Sequence, residues 1–535
     1  MASVSGTGHG QSKQDIELLG YPDRTFYTEI LPCDTSSPIT FAEAGPSRHG
    51  EGREPFTRAT PEIQSLLTRN SLDTAAEHLQ KGQLVSFPSE TVYGLGANAL
   101  SQSASAKIYA AKKRPADNPL IVHVSDLEML DTLLPSSYEM SEAYRLLVQR
   151  FWPGAMTLLF PVDRDSPKVP GVVTCGHPSV AIRMPSHPIA RALIATSRLP
   201  MAGPSANASG RPSPTTAQHV MRDLGGHLDI TESASAAATA DGARGRLRYI
   251  LDGGPCQVGL ESTVIDGITA PNELRILRPG GVSPEQIAQA LREEGLSDRI
   301  QLRVYGKDME RSNEQESNPT TPGMKYRHYS PTARVVMLLP SKLFAKALQT
   351  NGDSSAGKVV ESLTRNTSAS RTHFSEQHAP RDAQRSFASL VRGQLASQRE
   401  KRPTATLRVG VMVSSDSELC SWIKSSSSAI AGSMSGPTPS AQADGGIHPL
   451  LTQPLWLDGL DNVEIHPFDL GPANRADLYA QRMFDGLRTL DEGPLRAAAD
   501  RCDLIFVEAL EDDGVGLAVM NRLKKASSET VVVDC

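Results

Sequence analysis

From Pro61 to about residue 294, short β-rich runs and amphipathic helical stretches follow one another at intervals too short for uniform βαβ winding. The runs Leu84 to Phe87, Met156 to Val162, Ser179 to Met184, Tyr249 to Asp252, Ser262 to Asp266 and Leu274 to Leu277 read as strands. A Gly-rich turn is expected after the first of them. Helical spacing marks the stretches near Ala104 to Lys113, Ser141 to Phe151 and His187 to Ser197. Ser283-Pro284-Glu285-Gln286 supplies an N-cap, a proline at the first helical position and a capping-box glutamine, so a last helix closes the unit. The spacing predicts one α/β domain over 60–300.

A second unit is expected over 333–535. Its strand candidates, Arg334 to Leu339, Arg408 to Val413, Val463 to Ile465 and Leu504 to Val507, are separated by helical stretches such as Arg475 to Leu490, which suggests a small parallel sheet. The chain holds 42 Gly and 38 Pro, and 39% of its residues are hydrophobic, too few for every segment to join a core. Residues 1–58 are polar and Gly/Ser/Pro-punctuated and are expected to be a disordered tail; two low-complexity inserts, near 350–404 and 424–446, are expected to project from the second domain. An Ala/Ser-rich insert, Thr231 to Arg246, interrupts the first domain.

Several function classes drop out. No run approaches the ~18 to 20 apolar residues that a spanning helix needs, so no membrane partner is expected. The first twenty residues have neither the order of a secretion signal nor an Arg-rich presequence face, which leads to the expectation of a cytoplasmic protein. Six cysteines lie far apart with no Cys-x-x-Cys pair, so neither a disulfide framework nor a structural zinc site is expected. A formal charge of −6 argues against a chain-wide polyanion surface and leaves room for a local basic pocket.

There is no Gly-x-x-x-x-Gly-Lys-Ser/Thr, so a P-loop is excluded. Gly94-Leu95-Gly96-Ala97-Asn98-Ala99 satisfies Gly-x-Gly-x-x-Ala after a strand, but no acidic residue sits at a strand end some 20 residues on, where Ile121-Val122-His123-Val124 stands. More informative is the company of Lys112, Arg114, Arg183, Arg211 and Arg278 with the small, hydroxyl-bearing run Gly203 to Gly210. Cations converging with such a loop suit a triphosphate, whose charge must be neutralised during transfer at phosphorus.

Pro88-Ser89-Glu90-Thr91-Val92-Tyr93-Gly94-Leu95-Gly96, Lys112-x-Arg114-Pro115, Asn118-Pro119-Leu120-Ile121-Val122-His123-Val124, Trp152-Pro153-Gly154, Val180-Ala181-Ile182-Arg183, Pro204-Ser205-Ala206-Asn207 and Glu261-Ser262-Thr263 stand in this order. Together they resemble the YrdC-like domain of the L-threonylcarbamoyladenylate synthase family. Lys325-Tyr326-Arg327-His328-Tyr329 and Gly516 to Leu523 resemble the long form of that enzyme. The resemblance implies a YrdC-like twisted mixed sheet domain with helices, a linker over 301–332, and a smaller Rossmann-like parallel α/β domain. It also implies a nucleotidyltransferase: the carbamate formed from L-threonine and bicarbonate or CO2 attacks the α-phosphorus of ATP, giving threonylcarbamoyl-AMP and pyrophosphate. A downstream threonylcarbamoyl transferase complex then modifies an adenosine of tRNA.

By the same resemblance Thr91, His123, Arg183, Gly203 and Ser262 contact threonine, and Arg114, Asn118, Ser179, Ser205, Asn207, Ser213 and Arg278 contact ATP, with Lys112 beside them. Lys112 and Arg114, expected at the pocket rim, carry the catalytic role. Arg183 is the natural carboxylate partner, since its planar fork can donate two parallel hydrogen bonds. None of the set is an obvious nucleophile, because the carbamate itself attacks; His123, alone on an apolar strand, reads as a polar contact more readily than as a base. Mg2+ is expected to arrive with ATP, with no protein-built metal site. The linker concentrates two tyrosines and three cations after Pro322-Gly323, which fits either glue between domains or a lid in which Tyr329 or Tyr326 meets the nucleotide. Two other classes of function are a binding protein for tRNA or double-stranded RNA and carbamoyl transfer in hydrogenase maturation; Cys-x-x-Cys zinc elements, expected of the latter, are missing from the sequence.

Overall fold

The computed structural model describes residues 26–43, 59–163, 165–226, 245–305, 328–343, 387–417, 419–421, 427–428, 455–457, 460–492 and 501–533. The first domain is built on an eleven-stranded mixed sheet. From edge to edge its strands are Glu29–Pro32, Tyr249–Asp252, Val85–Phe87, Gly94–Asn98, Met201–Ala202, Ile121–His123, Ser179–Arg183, Met156–Pro161, Thr263–Asp266, Glu273–Arg278 and Gln301–Val304. Ile121–His123 pairs in parallel with Ser179–Arg183 and antiparallel with Met201–Ala202, which sets His123 opposite both Arg183 and Met201. Thr263–Asp266 pairs in parallel with Met156–Pro161 and brings Ser262 to Thr157, their hydroxyls 2.7 Å apart. Register therefore assembles residues distant in sequence at one level of the sheet.

Helices Leu66–Gln80, Gln102–Lys112, Glu142–Phe151, Pro188–Ser197 and Pro284–Glu293 pack on this sheet through apolar faces such as Leu72, Ala75 and Leu79 of the first. The capping box at Ser283 and Gln286 forms as the sequence predicts. The second domain has a seven-stranded sheet, ordered Ser427–Ser428, Leu455–Leu457, Val463–Asp469, Leu407–Val413, Leu504–Glu508, Arg334–Pro340 and Glu529–Val533. Its five longer strands are parallel and the two short ones antiparallel. Among the described residues no helix is long and apolar enough to cross a membrane.

Three expectations change. The tail is not structureless throughout: Glu29–Pro32 forms the sheet's first strand, parallel to Tyr249–Asp252, with Leu31 buried and the Pro32 carbonyl accepting from Ser71 Oγ at 2.7 Å. Ile39–Glu43 makes a hairpin-like pair with Ala59–Ile63. Four-residue strands carry too little alternation to stand out from a polar background. The rest of the first 58 residues lies outside the described residues, as do Tyr326, most of the linker and most of the three inserts. Second, the Gly94 segment is a strand, Gly94–Asn98, antiparallel to Val85–Phe87, and not a turn. The Phe87 ring occupies the space that side chains would need, since a Cβ on Gly94 would lie 2.6 Å from it and one on Gly96 3.1 Å. Third, part of the insert over 350–404 is the helix Phe387–Lys401, whose Phe387, Leu390, Val391 and Leu395 are buried against the second sheet's core.

Candidate active site

One cavity gathers side chains from the strand ends just described. Phe87, Ser89, Thr91, Val92 and Gly94 enter it from the first motif, Ile121 and His123 from the next, and Arg183 from the adjoining strand. Gly203, Pro204 and Ser205 contribute the loop, Glu261, Ser262 and Arg278 a further wall, Arg114 the end of its helix, and His328 and Tyr329 the linker. Of the residues anticipated from sequence, Thr91, Arg114, His123, Arg183, Gly203, Ser205, Ser262, Arg278 and Tyr329 line this cavity.

Arg183 is 4% exposed and fixed on all sides. Nε donates to the Gly154 carbonyl at 3.0 Å, Nη1 to Thr91 Oγ1 at 2.8 Å, and Nη2 lies 2.5 Å from Glu90 Oε1. The open fork expected from sequence is thus already partly engaged: a carboxylate reaching it meets a guanidinium that also holds Thr91 and Glu90. Burial pushes the Glu90 carboxyl up, but the Arg183 charge outweighs it and holds Glu90 below its ordinary value. The His123 ring packs edge-on to Phe87, 5.8 Å between centroids. Burial and then the Arg183 charge push its pKa down to about 3, so the ring is neutral at physiological pH and a weak base. Gly203 is required beside it, because a Cβ there would stand 3.1 Å from His123 Nδ1.

At the other residues of the cavity the cations are held by backbone. Arg114 donates through Nε to the Asn118 carbonyl at 3.1 Å and through Nη2 to that of Pro119 at 3.0 Å. Arg278 donates through Nε and Nη2 to the Ser262 carbonyl, at 3.1 and 2.9 Å, and through Nη2 to Ser262 Oγ at 3.2 Å. Burial lowers both guanidinium groups, Arg278 to about 10, and both remain charged at neutral pH.

Six anticipated residues do not line the cavity. Lys112 was expected at its rim; instead it is 2% exposed, and its ammonium donates to the carbonyls of Ser205 and Asn207. It shapes the Ser205 loop from within, and burial followed by the charge of Arg114 holds its pKa well below the usual lysine range. Asn207 accepts from Ser205 Oγ at 2.6 Å and ties the loop to the Ala208 and Arg211 carbonyls. Asn118 acts through its carbonyl on Arg114, and Ser179 sits at the start of its strand, opposite Pro161. Ser213 Oγ donates to Glu261 Oε1 at 2.6 Å. Arg211, grouped with the pocket cations by its Pro/Gly turn, instead reaches Asp223, Asp491 and Glu492.

Sequence reasoning missed Glu90, Glu261 and His328 as part of this constellation. The signal was present: each acid sits in a quoted motif beside hydroxyls, Glu90 between Ser89 and Thr91 and Glu261 just before Ser262, where an unpaired carboxylate could not be buried. Tyr329, at φ +67° and 2% exposed, contacts Phe484 of the second domain at 5.2 Å between centroids while also lining the cavity. Glue and pocket wall, set as alternatives for the linker, coincide in this one side chain.

The model of the family described as Telomere recombination matches residues 77–280, and that described as Threonylcarbamoyl-AMP synthase, C-terminal domain, matches residues 282–528. The threonylcarbamoyl-AMP synthase of Schizosaccharomyces pombe is 44% identical over 331 residues, 58% of this chain and 73% of that protein. That of Pyrococcus abyssi is 44% identical over 264 residues, 49% of this chain and 66% of that protein. The crystal structure of P. abyssi Sua5 complexed with L-threonine superposes with a TM-score of 0.54 at 31% identity, covering 88% of this chain and 97% of that one. With two consecutive domains matched in order and a relative covered over most of its length, this chain belongs to the threonylcarbamoyl-AMP synthase family, in its two-domain form.

Proposed function

We propose that the chain makes L-threonylcarbamoyl-AMP from L-threonine, bicarbonate or CO2 and MgATP, releasing pyrophosphate. The observation that carries this reading is the meeting, in one cavity, of Thr91, His123 and Arg183 with Arg114, Ser205 and Arg278. The first group presents an arginine, a hydroxyl and a neutral imidazole, a set suited to a small polar amino acid. The second presents two guanidinium groups and a loop hydroxyl, a set suited to phosphate oxygens.

In the reaction the threonine amine, once unprotonated, adds to CO2 and, releasing an N–H proton to water, gives a carbamate. A carbamate oxygen then forms a bond to the α-phosphorus as the bond from that phosphorus to the pyrophosphate oxygen breaks. No protein nucleophile is needed. Arg183 and Thr91 orient the threonine carboxylate, and Arg114 and Arg278 balance charge that moves onto pyrophosphate. His123, uncharged, serves as a contact for the threonine. Mg2+ enters as part of the nucleotide substrate. The product serves N6-threonylcarbamoyladenosine formation in tRNA, through a downstream transferase complex, in the cytoplasm.

Purified protein given ATP, L-threonine and bicarbonate should release pyrophosphate and an acyl-adenylate only when all three are present. Pyrophosphate release that is indifferent to threonine would reject the proposal.

A further inference from the structure

Arg522 lies on the helix Gly514–Ala526 of the second domain and is fully buried. Its Nε stands 3.1 Å from Glu261 Oε2, and Nη1 donates to the carbonyls of Pro279 and Ala518, the latter at 3.2 Å. Nη2, also buried, has no hydrogen-bond partner among the described residues. The guanidinium carbon lies 6.0 Å from the centroid of the Tyr329 ring, in cation–π range. An arginine of the second domain therefore touches the acid and the linker tyrosine of the cavity wall, and the carbonyl next to Arg278.

Glu261 explains what this contact does. It lines the cavity, and its other oxygen accepts from Ser213 Oγ at 2.6 Å. Burial pushes its carboxyl up, yet Arg522 first, then Arg278 and the Ser213 hydroxyl, bring it down to about 2. It is ionised at any working pH. An unbalanced carboxylate in the wall of a cavity that admits a triphosphate would repel it, and Arg278 alone would be drawn to Glu261 instead of to phosphate.

Resting on the synthase reading above, we propose that Arg522 is a positioning residue for the nucleotide half of the site. It neutralises Glu261, fixes the backbone beside Arg278 and seats Tyr329, so the second domain completes an ATP site whose acid the first domain alone could balance only by drawing on Arg278. The threonine half, at Thr91, His123 and Arg183, is untouched by it.

The test uses the full chain and measures threonylcarbamoyl-AMP formation with ATP and threonine varied separately. R522Q is expected to raise the KM for ATP by about tenfold or more while that for threonine changes by less than about twofold. Adding E261Q to R522Q removes the charge left unbalanced and should recover most of the loss. R522K, which keeps the charge but not the fork, is expected to fall between wild type and R522Q in ATP only. Circular dichroism establishes that each variant is folded; if R522Q is not, R522K decides. Equal changes for both substrates, normal ATP kinetics in the decisive variant, or no recovery in the double variant would overturn the inference. A wild-type chain that makes no threonylcarbamoyl-AMP would instead sink the synthase reading itself.

Discussion

Glu90 stands within hydrogen-bonding distance of the arginine meant for a substrate carboxylate, and its presence there sets the character of the threonine pocket. Without it, Arg183 would be a buried charge with only a carbonyl and a hydroxyl for company. E90Q should therefore lose stability, by about 3–5 kcal/mol as for other broken buried pairs. Threonine, whose carboxylate can replace the missing charge, should raise the melting temperature of E90Q more than that of wild type; equal shifts would mean that threonine does not reach Arg183. A second consequence concerns pH. His123 and His328 are pushed down from 6.5 to about 3, each by burial first and then by a neighbouring arginine, Arg183 and Arg114 respectively. Both are neutral in the fold, whereas the unfolded chain takes up their protons below pH 6.5, so their contribution to stability is complete above 6.5 and is lost as pH falls toward 3. Urea midpoints should fall across that window, and H328Q should show a shallower fall; parallel curves would contradict the neutral state of His328 in the fold.

Among the elements, the long periodic segments were legible and the short ones were not. Glu142–Phe151 announced itself through helical spacing, and Pro284–Glu293 through its cap and capping box. The strand Gly94–Asn98 did not, because its glycines answer to the Phe87 ring across the sheet, a neighbour that local pattern cannot reveal. Many cavity-lining residues could be named in advance because they lie in or close to dense motifs. Lys112 could not be placed, since a cation drawn inward by two backbone carbonyls reads in sequence like a cation at a rim. The helix Phe387–Lys401 was hidden by the polar residues around it, although Leu395 is only 3% exposed. L395A should cost about 2–5 kcal/mol if this helix is core, as large-to-small changes do. A change in the urea midpoint indistinguishable from zero would return the segment to the insert.

On the scale of the whole molecule, the two domains are joined by buried charge. Arg488, fully buried, reaches the Pro212 carbonyl and Asp223, itself without exposed side-chain surface, with Nη2 2.7 Å from Oδ2. Arg211 returns the contact to Asp491 and Glu492. Tyr329 and Arg522 carry the same interface to the cavity. Such pairs fix how the domains sit, which suits a site whose wall of first-domain and linker residues is braced from the second domain. In the proposed reaction this site positions substrates for direct attack at phosphorus and supplies no nucleophile of its own. Mass spectrometry of the full chain with ATP, L-threonine and carbon-labelled bicarbonate tests this most directly. Direct attack requires one labelled carbon in threonylcarbamoyl-AMP, release of pyrophosphate, and no adenylylated protein with ATP alone; an adenylylated protein, or an unlabelled product, would contradict it.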